Sequence, residues 1–395
     1  MKHQLPKGFL VSTGSAGIKR PGRADIALIY SETDAACAGV FTQNRLKGNP
    51  VKLDIERVRS GKGRAIVANS GNANVANGPR GLADAKEMAR IPAKILGVPE
   101  ELVYVCSTGV IGAAMPMEKI RPELKSVALR PGSATLEDAA QAIMTTDKFP
   151  KMSSRVITVG GKRARLTAIA KGAGMIHPNM ATMLCFIISD INIGSDLLDT
   201  ALRSAAGKSF NRLTVDGDTS TSDTILIMAN GLCGNPALKA GSREFEMFSA
   251  ALDAITLELA RMIASDGEGA SRLIEVVIKG AASEKDALTA AYAVAKSPLV
   301  KTAVYGNDAN WGRIMAAIGY SGAQMEEDKV DIWIERLKIV GRGVSKGKDK
   351  EAAALMRTQK AITITADLHL GDASERVLTC DLTEEYVKIN AEYRT

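Results

Sequence analysis

The stretch KGAGMIHPNMATMLCFIISD (171–190) passes from a glycine-punctuated loop through Pro178 into a solid apolar run, and Ala181 and Thr182 stand at the junction. A threonine that opens a strand is commonplace, because β-branched side chains suit strands. This one follows a small residue and a glycine-rich approach that lets backbone come close. In such a setting the hydroxyl can attack the preceding carbonyl and shift the acyl group from N to O. Hydrolysis of that ester leaves Thr182 as a new N-terminus. Its α-amino group, with an unperturbed pKa of about 7.7–8.0, is then a general base beside its own hydroxyl. Spacing alone leaves both readings of Thr182 open.

Two further segments carry groups suited to acyl chemistry. VYVCSTGVIG (103–112) reads as a strand ending in Thr108–Gly109, where a hydroxyl and a glycine N–H can form a two-donor oxyanion hole. Ordinary strand-ending turns look the same. IASDGEGASR (263–272) sets Glu268 between two glycines just after a long helical pattern. One reading is a helix C-cap with Gly267 left-handed; the other is a carboxylate on a tight turn, ready for a substrate ammonium. The DGD of LTVDGDTSTSD resembles a calcium loop, but with Asp216 as position 1, position 6 is Thr221 and position 12 is Ile227, so an ordinary polar turn is expected. No G-x-x-x-x-G-K-[ST] occurs, and no G-x-G-x-x-G lies between a strand and a helix. The three histidines have no helical pair spacing, and no zinc site is expected.

These groups need a frame. At 395 residues the chain suits two domains or one large layered α/β unit, and 46% apolar with 24% charged residues marks a globular protein. Its net charge of +7 is spread without a basic block, and 4% aromatic residues leave little for base stacking, so anionic metabolites fit better than nucleic acid. MKHQLPKGFLVSTG lacks the apolar core of a signal peptide, and apolar runs reach about six residues against the ~20 that span a bilayer. A cytoplasmic location without membrane contact is expected. Five cysteines without a CxxC pair suit reduced, buried thiols.

Strands are predicted at 24–30, 36–42, 65–69, 102–106, 164–170, 182–189, 224–229, 273–279, 330–334, 361–370 and 375–382. Helical spacing is clearest at 243–264, where Phe245, Phe248, Leu252, Ile255, Leu259 and Met262 form one stripe. Further helices are predicted at 82–96, 136–145, 195–208, 284–295 and 309–318, with Ser195 and Ser283 as N-caps. Residues 341–353 look like a basic linker, 361–382 like a hairpin turning at Gly371–Asp372, and YVKINAEY like a final strand.

KGAGMIHPNMATML, with STG upstream and NRLTVDGDTSTSD and GEGASRLIEV downstream, strongly resembles the ornithine acetyltransferase family of arginine biosynthesis. The likeness continues through VANSGNANVANG, IMTTD, GNDANWGRI and the terminal INAEYRT, and so spans essentially the whole chain. The resemblance implies a self-cleaving αββα-type sandwich with mixed sheets, cut between Ala181 and Thr182 into an α chain of 1–181 and a β chain of 182–395. It implies Thr182 as nucleophile, Thr108 and Gly109 as oxyanion hole, and Thr145, Lys171, Thr182, Glu268, Asn390 and Thr395 as substrate-binding residues. TTD offers both Thr145 and Thr146, and the alignment favours the first. The implied reaction moves acetyl from N-acetylornithine to glutamate in an α2β2 assembly, with no cofactor, and with acetyl-CoA as a second donor in bifunctional members. The charges agree: an amino-acid α-carboxylate and an ornithine ammonium need ionic partners such as Lys171 and Glu268. Two other classes compete. An aminopeptidase of the same architecture would turn the freed threonine on peptides, and a non-enzymatic metabolite-binding protein would stay one uncut chain.

Overall fold

A computed structural model describes residues 4–19, 22–177 and 183–392; Ala181, Thr182 and Thr395 lie outside the described residues. Up to residue 265 the chain runs β1 (Phe9–Gly14), β2 (Ile26–Phe41), α1 (Asn49–Arg57), β3 (Lys62–Asn72), α2 (Gly78–Leu96), β4 (Val103–Val110), α3 (Met117–Leu129) and α4 (Leu136–Ala142). It continues through β5 (Lys151–Val159), β6 (Lys162–Lys171), β7 (Leu184–Ser189), α5 (Ser195–Lys208), β8 (Thr224–Ala229) and α6 (Arg243–Ser265). The strands join in the order β4-β3-β2-β8-β7-β6-β5, with β1 also on β2. The two strands predicted at 24–30 and 36–42 are one strand. Its first part pairs with β3 and its end, Ala36–Phe41, with β8, and the register with β3 shifts between Tyr30 and Ala35.

Side-chain alternation then sorts the layers. Leu184, Phe186 and Ile188 of β7 and Leu226 and Met228 of β8 share an inner core with Ile66, Ala68 and Tyr104 from the other half of the sheet. Cys185 and Ile187 belong instead to the core built with Leu198 and Leu202 of α5 and Leu252, Ile255 and Leu259 of α6. Val67, Val103 and Val105 pack with Met88 of α2 and Ile120 and Leu124 of α3. The two halves of this one sheet supply two β layers, so the succession is helix, β layer, β layer, helix, the αββα sandwich expected. Burial of β7 on both faces explains why it reads as an unbroken apolar run rather than an alternation.

The rest of the chain builds a second, six-stranded sheet from β9 (Leu273–Ala281), α7 (Glu284–Lys296), α8 (Pro298–Tyr305), α9 (Trp311–Tyr320), β10 (Asp331–Ile334), β11 (Leu337–Gly341) and β12 (Val344–Ser345). It closes with α10 (Asp349–Arg357), β13 (Ala361–Asp367), β14 (Ala373–Cys380) and α11 (Glu384–Glu392), in strand order β12-β11-β10-β13-β9-β14.

Several local expectations are corrected here. No hairpin joins β13 to β14, because β9 lies between them, parallel to one and antiparallel to the other. The connecting loop wraps the end of β9 instead, with Leu370 and Gly371 donating to the Gly280 carbonyl. The predicted terminal strand is helix α11, whose first turn is held by the Thr383 hydroxyl accepting from Glu385 N–H. The 341–353 linker contains β12 and the start of α10. Gly194, not Ser195, caps α5 without a side-chain bond, whereas Ser283 caps α7 through Asp286 N–H as expected.

All five cysteines are free and buried. Among the described residues no helix is long and apolar enough to cross a membrane. Since β7 lies between β6 and β8, and β8 pairs with β2, residues on both sides of the 181/182 junction share one sheet. Phe186 sits wholly inside the inner core between the two halves of this sheet. Phe186→Ala is expected to lower unfolding free energy by about 3–5 kcal/mol, the usual cost of such a cavity, as read from urea denaturation.

Candidate active site

Lys171 ends β6 and pairs in register with Leu184, the first residue of β7. The chain between them therefore leaves the sheet and re-enters it at neighbouring positions, and carboxylates pin both feet of this excursion. Asp216 accepts the backbone N–H groups of Met175 at 2.6 Å and Ile176 at 2.9 Å. Asp223 accepts Met183 N–H at 2.9 Å, and the Met183 carbonyl accepts from Thr224. Asp216 does form the polar turn expected of DGD, accepting also from Asp218 N–H, but its main effect is on the distant loop. Burial drives the Asp223 carboxyl well above its ordinary range, against the pull of the Met183 N–H and Lys171.

Beside this loop lies a cavity of about 190 Å³. Its lining brings together six of the residues singled out in the sequence: Thr108, Gly109, Thr145, Lys171, Glu268 and Asn390. Thr146 lines it as well, so both threonines of TTD face the same space. The remaining named residues, Ala181, Thr182 and Thr395, are outside the described set, but Thr182 directly precedes the pinned Met183 in the chain.

Thr108 and Gly109 come from the end of β4. Gly109 has φ +128, and a Cβ there would stand 2.4 Å from the backbone carbon of Gly71 on β3. Only glycine lets the two strands close at this point, where their register shifts around Gly71 and Asn72. The Lys171 ammonium donates to Thr108 Oγ1 at 3.3 Å. Because a hydroxyl can accept and donate at once, its hydrogen stays available. Lys171 is buried, which pushes its pKa down; Asp147 opposes that push, Lys151 adds to it, and Glu268 and Asp223 also oppose it.

Glu268 reaches the cavity on the turn after α6. Its N–H donates to the Ala173 carbonyl, and its carboxylate sits where a side chain on Gly174 would be, 2.3 Å from the missing Cβ position. The left-handed residue of this turn is Gly269, with φ +71, rather than the Gly267 of the C-cap reading, because α6 is already capped at Asp266. Asn390 donates to Glu268 Oε2 at 2.9 Å and to the Tyr386 carbonyl at 3.0 Å. Tyr386 and Asn390 are four apart on α11, so a helix, unlike the expected strand, presents both to the cavity.

The sequence reading overlooked the residues that hold the lining in place. Asp147 accepts from Thr145 N–H at 3.0 Å and Gly172 N–H at 2.7 Å, and Asp223 holds Met183. The available signal was the aspartate that ends each of two threonine motifs, Asp147 in TTD and Asp223 in TSD. Burial alone would raise the Asp147 carboxyl, but the Lys171 and Lys151 ammoniums hold it at about 2.

The ArgJ family matches residues 10–395. The arginine biosynthesis bifunctional protein ArgJ of Geobacter sulfurreducens is 52% identical over 390 residues, covering 98% of this chain and 99% of that protein. Its counterpart in Symbiobacterium thermophilum is 48% identical, covering 99% of this chain and 98% of that one. The chain belongs to the ArgJ family. The ornithine acetyltransferase resemblance carried by the motifs is thereby borne out. The crystal structure of arginine biosynthesis bifunctional protein ArgJ from Bacillus halodurans is 42% identical, with a TM-score of 0.51, over 53% of this chain and 98% of that chain.

Gly109→Ala tests the close approach of β3 and β4. Positive-φ strain costs about 1–3 kcal/mol, and the clash with the Gly71 backbone adds to it. The expected outcome is a clearly lowered melting temperature by calorimetry; an unchanged one would show that the strands can part without cost.

Proposed function

We propose that this protein transfers acetyl from N-acetylornithine to glutamate through a covalent acetyl ester on Thr182, after cutting itself between Ala181 and Thr182. The observation that carries the reading is one small cavity in which Thr108, Lys171 and Glu268 meet beside Gly174 and Met175. An amino-acid substrate has an α-carboxylate for Lys171, and ornithine has an ammonium for Glu268. Glu268 is already engaged by Asn390, which leaves its other oxygen for the ligand.

In maturation, Thr182 Oγ attacks the Ala181 carbonyl carbon and the bond to the Thr182 nitrogen breaks, giving an ester. Water then hydrolyses the ester to an Ala181 carboxylate and a free Thr182 α-amine. The B. halodurans chain is covered to 98% yet spans only 53% of this chain, a length that one fragment of a precursor cut near its middle would have. In turnover the α-amine takes the Thr182 hydroxyl proton as Oγ attacks the acetyl carbonyl. Thr108 and Gly109 stabilise the oxyanion, with the Thr108 hydroxyl polarised by Lys171. The ornithine amine leaves with the proton, and the amine of glutamate attacks the acetyl ester in turn. A covalent intermediate lets two similar amino acids use one cavity in succession. Acetyl-CoA is a second donor in this scheme, reaching the same ester, and no bound cofactor is required. The assembly proposed is α2β2 in the cytoplasm.

Maturation is checked by intact-mass spectrometry. Purified protein should give two fragments, the second beginning TMLCFIISD, and Thr182→Ala one uncut, inactive chain. A Thr182→Ala protein that still splits at this bond would end the self-cleavage reading.

For turnover, N-acetylornithine alone should add about 42 Da, one acetyl group, to the β chain, and glutamate should discharge it. Double-reciprocal plots should be parallel, whereas an aminopeptidase would release acetate or amino acid without needing glutamate. Thr108→Ala should cost ~10²–10³ in kcat with little change in KM. Intersecting plots with no acetylated chain on rapid quenching would sink the mechanism.

A further inference from the structure

We propose that Asp147, Lys151 and Asp266 form a buried positioning unit that sets the geometry of the site by fixing the three chain segments from which Thr145, Lys171 and Glu268 project. Its kinetic consequence rests on the function proposed above; its geometry does not.

Lys151 opens β5, and its side chain has no exposure to solvent. The ammonium donates to Asp147 Oδ1 at 2.7 Å and to Asp266 Oδ2 at 2.6 Å. Both carboxylates then spend their remaining capacity on backbone. Asp147 Oδ1 also accepts Gly172 N–H, the residue after Lys171, and Oδ2 accepts Thr145 N–H. Asp266 accepts Lys148 N–H, at 3.0 Å on one oxygen and 3.3 Å on the other. Asp266 is itself the C-cap of α6, tied to the carbonyls of Met262 and Ile263, and stands two residues before Glu268. Thr145 and Glu268 each stand two positions from a carboxylate held by this one ammonium, and Lys171 stands one position from an N–H that Asp147 holds.

Stability alone does not account for such a cluster. Two carboxylates and an ammonium are costly to bury, and apolar side chains of similar volume usually serve a core as well or better. Here the acceptors are aimed at N–H groups of segments that face the cavity, which is what holding a geometry requires. The two aspartates differ as their surroundings dictate. Asp147 is held at about 2 by the flanking Lys171 and Lys151 against burial, while burial outweighs Lys151 at Asp266, which also faces the Asp147 charge, and raises it.

The test compares Asp147→Asn, Asp266→Asn and the uncharged triple variant Asp147→Asn/Lys151→Met/Asp266→Asn with wild type. Amide hydrogen exchange is followed alongside kcat/KM for N-acetylornithine. Asp147→Asn should speed exchange at Thr145 and Gly172, and Asp266→Asn at Lys148, a local pattern that general destabilisation would not produce. The triple variant removes both carboxylates together with the ammonium they share, while Glu268 and Asp223 still face Lys171, so it should fold, yet lose activity. Unchanged exchange at Thr145 and Gly172 in Asp147→Asn overturns the inference. So does a folded triple variant with kcat/KM within about threefold of wild type, since misplacement by an ångström costs roughly 10²-fold. Should wild type itself fail to turn over N-acetylornithine, the proposed function falls, and the exchange pattern still decides the positioning unit.

Discussion

The ammonium of Lys151 is out of reach of water, so its charge has to be balanced inside the protein. The two carboxylates that balance it are the ones that hold the backbone around Thr145, Gly172 and Lys148. A buried charge that lost a partner would be strongly penalised, so the arrangement tolerates few alternatives. That intolerance is useful at an acyl-transfer site, where an oxyanion donor and an ionic anchor must stand at set distances from one nucleophile.

The same logic governs the loop between β6 and β7. Its feet are paired neighbours, Lys171 and Leu184, and β7 is buried on both faces by the inner core and by α5 and α6. A strand so enclosed cannot slip in register without moving its whole apolar set to the wrong layer. Asp216 and Asp223 add polar ties at Met175, Ile176 and Met183. The flanks of the junction are thus anchored by packing on one side and by carboxylates on both.

Glycine does a complementary job, removing side chains where groups must touch. Gly109 lets β4 close on β3, and Gly174 leaves the volume into which the Glu268 carboxylate extends. With Thr108 accepting from Lys171 and Glu268 engaged by Asn390, the cavity offers a cationic end and an anionic end. An α-amino acid is a ligand with the matching polarity.

The sequence by itself determined the family, the layered α/β class and most of the cavity lining, because acyl chemistry needs particular side chains and these sit in short, distinctive motifs. It also determined which strands are enclosed: the run from Met183 to Ile188 has no polar face to give to water. Tertiary structure alone decided how strands pair and which charges are buried. The 361–382 stretch has the pattern of a hairpin, yet β9 enters between its strands, since alternation fixes which face is apolar but not the neighbour. The final residues alternate enough to suggest a strand, but as a helix they bring Tyr386 and Asn390 to one side, next to Glu268. Asp147, Lys151 and Asp266 are unremarkable as letters; their roles arise from a low-dielectric meeting of segments 115 residues apart, which no local spacing encodes.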